Sequence, residues 1–259
     1  MLYSLAFEKI SARLHARSST MLLGLESKLT HLLVAWLLVM ALASALRIVA
    51  SPLPTIDATA LSPYLLLILA PAGSFVLALR WFSDGHLLPQ PESRLAVVGR
   101  WRKVTAAEAQ QHPLHGTSGI MVSLLIGILI NVPVRAAEYL VTMPAISAGV
   151  PGWLATLHLA MSVDVVLMSS LYVIAFVAAL RRVPLFPRLM LFVWMADIAM
   201  QLVIAQAAMS TGLPDGIGQA LRTLLNGNVQ KTLISVFIWL PYLLLSVRVN
   251  VTYRNRVPA

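Results

Sequence analysis

Six stretches of the chain are mostly apolar and long enough to cross a bilayer. About 20 helical residues cover the ~30 Å of hydrocarbon. The stretches run over 29–50, 61–82, 118–140, 156–180, 185–211 and 231–249. Connections of varied length separate them, and the longest, at 83–117, is polar. This pattern predicts an all-α fold, a polytopic membrane bundle of six transmembrane helices.

Two regions outside the spans have a periodicity of their own. Tyr3, Phe7, Ile10 and Leu14 recur at helical spacing, opposite Ser4, Glu8, Arg13 and Arg17. Residues 1–20 therefore read either as an interfacial amphipathic helix, basic face on anionic headgroups, or as a basic leader that only sets orientation. In 83–117, Pro89, Pro91 and Pro113 punctuate the connection, and a short amphipathic helix is expected within Ser93 to Glu108. The chain divides into a basic N-terminal segment (1–28), a two-span piece (29–82), a basic loop (83–117) and a four-span unit (118–259). Ala43-Ser44-Ala45 loosely resembles a signal cleavage site, but the apolar run continues past it, which favours an uncleaved first span.

Composition agrees with burial in lipid. Of 259 residues, 59% are hydrophobic and 11% charged, against roughly 25% charged in a soluble domain. The net charge of +9 would suit a nucleic-acid binder, but its placement does not. All but four of the 19 cations fall at one end of the six spans: before span one, around the second connection, at the fourth, and after span six. The exceptions are Arg47, Arg135, Arg222 and Lys231. By the positive-inside rule, both termini are expected in the cytoplasm, as in a multi-pass protein of a bacterial inner membrane. Anionic lipid headgroups, not nucleic acid, are the expected partners of this charge. The absence of cysteine excludes disulfides, thiolate nucleophiles and covalent haem c attachment.

Ionisable groups inside spans are costly and mark candidate function. They are Arg47 in span one, Asn131, Arg135 and Glu138 in span three, His158 and Asp164 in span four, and Asp197 in span five, with Gln201 and Gln206 following. Lys231 opens the predicted span six. At ~1.5 Å per residue, Arg135 and Asp164 lie at similar depth, so they are the expected ion pair, with Asp197 about 6 Å away along the axis. Two readings follow. The pair fixes helix register, or Arg47 and Arg135 line an outer vestibule for an anionic headgroup or solute while Asp164 or Asp197 carries protons. An aspartyl-protease dyad is disfavoured by that offset and by the absence of Gly-x-Gly-Asp.

Other chemical patterns are missing. The six histidines form no His-Glu-x-x-His, and there is no phosphate loop, dinucleotide fingerprint or Gly-x-Ser-x-Gly elbow. No cofactor is expected. Pro71, Pro133 and Pro241 lie within spans two, three and six, where each frees a carbonyl and can kink its helix. Pro133 sits between Asn131 and Arg135.

The last span carries Lys231-Thr-Leu-Ile-Ser-Val-Phe-Ile-Trp239-Leu-Pro241-Tyr242, then Ser246-Val-Arg248-Val249 and Thr252-Tyr253. This string resembles the closing signature of an uncharacterised bacterial inner-membrane family, domain of unknown function 2569. Pro113-Leu-His-Gly116-Thr-Ser-Gly119 resembles that family's start, with Ile120 where tryptophan is usual, and Phe186-Pro187-Arg188-Leu189 its Phe-Pro segment. The resemblance covers about residues 112–256. It implies a four-span unit preceded here by two extra spans, and it carries no catalytic residues. Trp239, Pro241 and Tyr242 are expected to kink and pack span six, and Ser246 and Arg248 to end it at the headgroups.

Two functions are open on these observations. Small size, missing cofactor chemistry and the small-residue strip Ala41-Leu-Ala-Ser-Ala45 suit a non-enzymatic accessory or assembly subunit with a protein partner in the membrane. The polar groups suit a transporter or a lipid- or anion-binding protein using the outer vestibule.

Overall fold

The computed structural model describes residue 18 and residues 20–52, 57–92 and 99–259. Almost all of the expected interfacial helix at 1–20, and the first part of the one expected in Ser93 to Glu108, lie outside those residues. Six long helices are apolar enough to span a membrane: α1 (Leu29–Val49), α2 (Ala58–Trp81), α4 (Ile120–Thr142), α5 (Gly152–Leu180), α6 (Phe186–Ser210) and α7 (Asp215–Leu245). Helical turns at 20–27 precede α1, and a short α3 (Ala106–Gln111) lies in the long connection. After α7 come α8 (Val247–Arg254) and a strand, β2 (Arg256–Pro258), which pairs antiparallel with β1 (Trp101–Lys103). The protein is a polytopic, all-α membrane bundle.

Its centre is α5. A helix that is hydrophobic all round is surrounded by other helices or by lipid, and α5 packs against three helices, α2, α4 and α6. Ala175, Ala178 and Ala179 are fully buried on it, which lets neighbouring backbones approach closely. Phe75 and Ala78 of α2 join Leu125 of α4 and Trp194 of α6 in the same core, so the first two spans share it with the last four. α1 packs on α2 and α7 on α6, at opposite flanks of the bundle. Their outer faces carry large apolar side chains such as Phe237, 76% exposed, as a lipid-facing surface requires.

Three expected boundaries differ. α7 begins at residue 215, not 231. Arg222, Asn226 and Asn228 break the apolar run without breaking the helix. At 31 residues α7 is about 46 Å long, enough to cross with its first turns outside the hydrocarbon. At its other end the chain leaves helical geometry at Ser246 (ψ 128°), so the motif read as one span is two helices. Third, residues 101–103 form β1 instead of helix, because β2 returns beside them, and α3 starts only at Ala106, capped reciprocally by Thr105 and Glu108.

The end of the bundle carrying most of the cations is closed by α8. Asn250 donates its amide to the carbonyls of Leu244 and Ser246, satisfying the end of α7. Arg248 donates to Ser118 Oγ at 2.8 Å and to the Gly116 carbonyl at 3.4 Å, and Thr252 Oγ1 accepts from Gly116 N. Gly119, which starts α4, has φ +71°, a left-handed conformation that favours glycine at this turn.

His115 lies in this turn. Burial, and then the Arg182 charge, hold its imidazole below the ordinary value of 6.5. The unfolded turn therefore binds a proton more readily than the folded one. Its contribution to stability is complete above pH 6.5 and is lost as pH falls through the folded value. Hydrogen exchange over 113–119, corrected for intrinsic rates, should speed up on acidification in the native protein but not in His115→Gln. Equal acid sensitivity in the two would refute this.

Candidate functional site

The polar groups on three helices recur at one-turn spacing, so each helix presents them on one face. On α4 these are Asn131, Arg135 and Glu138, on α6 Asp197 and Gln201, and on α7 Asn228, Lys231, Thr232 and Ser235. α5 adds Asp164 and Tyr172. Where α4, α6 and α7 meet, these faces converge.

Arg135 is the hub, its side chain 9% exposed. One terminal nitrogen pairs with Asp197 Oδ1, and the other lies 3.6 Å from Asp164 Oδ1. The expected Arg135–Asp164 pair is thus the looser half of a three-residue arrangement. The planar fork of the guanidinium bridges the axial offset between the two aspartates. Asp197 Oδ2 also accepts from Tyr172 OH (2.7 Å) and Thr232 Oγ1 (3.1 Å). From Asp164 a second line of bonds runs outward. Gln201 Nε2 donates to Asp164 (3.4 Å), Asn228 Nδ2 to Gln201 Oε1 (3.3 Å) and Lys231 Nζ to Asn228 Oδ1 (3.4 Å), while Lys231 also pairs with Glu138.

Between α4, α6 and α7 lies a cleft of about 120 Å³, adjoined by a hollow of about 20 Å³, both bounded by Asn131, Asp197, Lys231 and Thr232. Gly127 and Trp239 line the larger part, and Arg135 and Glu138 the smaller. Lys231 and Glu138, with side chains 60% and 30% exposed, stand at the mouth, whereas Asp197 is almost fully buried at the base. Walls that are half polar at this volume can hold a few waters or a small polar group. The walls carry two cations, Arg135 and Lys231, and two carboxylates, Asp197 and Glu138, and Asp164, paired with Arg135 behind them, brings the formal count to one carboxylate in excess.

A second polar group sits one turn further along α4. Tyr139 OH lies 2.7 Å from Ser162 Oγ and 3.4 Å from His158 Nε2. Ser162 gives its own proton to the His158 carbonyl at 2.6 Å, so Tyr139 is the donor to Ser162. A serine committed in this way is not activated by the adjacent imidazole, and the trio links α4 to α5 as a buried bond network.

Arg47 stands apart from the Arg135 cluster and is linked to the Tyr139 group only through Tyr64, which lies beside Arg47 and meets Tyr139 edge-on at 6.2 Å. Arg47 Nε donates to the Met143 carbonyl at 2.9 Å, and Nη2 reaches Val141 at 3.5 Å. Ser51 accepts from Ala145 N, and Asp57 accepts from Ala148 N while capping α2 at Ala60 N. Those two amides hold the Asp57 carboxyl below its ordinary range, Ala60 first. Arg47 is thus a clamp on the loop after α4, and among the described residues its hydrogen bonds do not join it to Arg135. Arg47 lies on α1, on the flank away from α7, and its partners at Val141 and Met143 lie beyond Arg135 along α4.

The span-six motif is divided as well. Trp239 lines the cleft and meets Tyr242 edge-on at 6.0 Å, Pro241 lies inside α7, and Ser246 and Arg248 belong to the closure around α8. Tyr172, Asn228 and Thr232 had not been singled out in the sequence. Asn228, Lys231, Thr232 and Ser235 do form a polar stripe at helical spacing, a signal hidden by placing the start of the span at 231. Tyr172 gives no such sign, since a lone tyrosine in an apolar helix is ordinary. Among the described residues, no three His, Asp or Glu side chains converge as a metal site would require. No family model, curated protein or solved structure matches this chain.

Proposed function

We propose that this integral membrane protein is a transporter or ligand-binding protein that receives a small polar solute in the cleft between α4, α6 and α7. The observation that carries the reading is the cleft itself. A line of polar contacts leads from Lys231 and Glu138 at its mouth through Asp164 to Arg135 and Asp197 at its base, within helices whose other faces meet the apolar core or lipid. Register alone can be set by one buried pair, and this arrangement carries five charged groups and an accessible hollow. The single excess carboxylate favours a cationic group, such as an amine, over an anion. With the cation-rich end in the cytoplasm of a bacterial inner membrane, as the positive-inside rule directs, the cluster lies toward the outer half of the bilayer.

Purified protein in detergent, screened against small amines and carboxylates by thermal shift, tests this. Amines should stabilise the native protein, and Asp197→Asn should abolish the response by removing the charge at the base. A response to carboxylates alone, or to neither class, would reject a cation site.

An accessory-subunit role has one structural point in its favour. Ala41 and Ala45 of α1 are exposed one turn apart, a small-residue face on which another span could pack. Mild extraction from native membranes should then recover a stable complex, and Ala41→Phe should dissociate it.

A further inference from the structure

On the far side of α4 from the polar cleft, α1, α2, α4 and α5 line a second cavity, of about 270 Å³ and open on one side. Trp36, Pro71, Phe75, Leu129, Pro133 and Val173 are among its walls, and every lining residue is apolar. Two features keep the helices from closing on it. Pro71 and Pro133, each inside its helix, both face the cavity, and an internal proline removes a backbone bond and displaces the preceding turn. Trp36 donates Nε1–H to the Ile68 carbonyl at 3.0 Å, which fixes the indole as a wall and occupies its one polar atom. α1 packs loosely along it, with Met40 and Ser44 its buried residues.

In a bilayer such a space does not stay empty. Water finds no polar partners on these walls, and an unfilled void forfeits the dispersion contacts of every side chain around it. Nor does a hydrophobic force press the helices together, since lipid tails are as apolar as leucine. Its size selects the occupant. A helix, about 10 Å across, does not fit, and the volume lies below the ~300–1,000 Å³ of pockets that take whole ligands. Along α1 the lining runs from Leu32 to Met40, about 12 Å parallel to the lipid chains. Lys28 is exposed one turn before Leu32 on the same face, where the phosphate of a lipid seated in the cavity would lie.

We propose that this cavity is a binding site for one acyl chain of a membrane phospholipid, with the lipid phosphate against Lys28. The site is independent of the polar cleft and would stand if the transport reading failed.

Photolabelling tests it, in proteoliposomes of phosphatidylglycerol carrying a chain-borne diazirine. Crosslinks should concentrate on Phe75, Leu129 and Val173. Ala35→Trp, which fills the cavity from an exposed position on α1, should reduce them several-fold. Val34→Trp, of equal bulk on the lipid-facing side, should leave them unchanged. Labelling spread evenly over all lipid-facing helices, or unaffected by Ala35→Trp, overturns the proposal. Native mass spectrometry needs no variant: one phospholipid should persist on the wild-type protein after delipidation, and complete loss would overturn the site. Lys28→Glu should weaken retention of phosphatidylglycerol, and unchanged retention would overturn the headgroup assignment.

Discussion

Arg135→Ala is expected to be the most damaging single substitution in the membrane region, costing about 3–5 kcal/mol, because it leaves buried carboxylates without their cation. Asp197 would keep Tyr172 and Thr232 as donors, but Asp164 would retain only the long Gln201 contact. Folded yield and thermal unfolding in detergent are the measurements. The hub geometry also predicts how rescue should fail. Exchanging the charges, Arg135→Asp with Asp164→Arg, should not restore stability, since it sets a carboxylate directly against Asp197. Neutralising all three, as Arg135→Met, Asp164→Asn and Asp197→Asn, should restore it, because a buried ion cluster replaced by neutral groups of similar size is often no less stable. If the triple variant is stable yet no longer responds to ligand, the charges serve binding. Full rescue by the exchange would show a simple pair and refute the three-residue arrangement.

Tyr253→Ala should have the second-largest effect, and a local one. Tyr253 is fully buried, its ring 5.1 Å from that of Phe186, and its hydroxyl donates to the Ala179 carbonyl at 2.8 Å. Truncating a large buried aromatic side chain costs about 3–5 kcal/mol, and here the loss falls on α8 and the strand pair it positions. The neighbouring Arg254 sharpens the expectation. Burial, then the charges of Arg256 and Arg188, pull its guanidinium down to about 10, so burying this cation opposes the docking of α8 and leaves it dependent on anchors such as Tyr253. Hydrogen exchange should rise over 101–104 and 247–258 while the six spans stay protected. Exchange rising uniformly, or not at all, would show that α8 is not a separately anchored unit. Tyr253→Phe should lose only the hydroxyl bond, on the order of 1 kcal/mol.

What could be read from the chain follows from how strongly each feature is determined locally. A span is a property of about 20 consecutive residues, so all six were visible, including the start of α1 at Leu29. The start of α7 was not, because the polar stripe through Asn228 and Lys231 resembles a loop until the cleft that receives it is known. Depth also follows from counting, which is why Arg135 and Asp164 could be set at one level. Azimuth does not. Whether a polar face points to a neighbouring helix, and to which one, depends on the packing order.

The sequence by itself therefore determined the membrane class, the number of spans and the unequal distribution of charge, since hydropathy and cation placement act residue by residue. Only the tertiary structure decided that Asp197 is the closer partner of Arg135, that Arg47 clamps the loop after α4, and that α4 separates a polar cleft from an apolar cavity. The physical reason is that helix packing in lipid is set by close contact and hydrogen bonds between distant segments. Those terms have no signature within any one span.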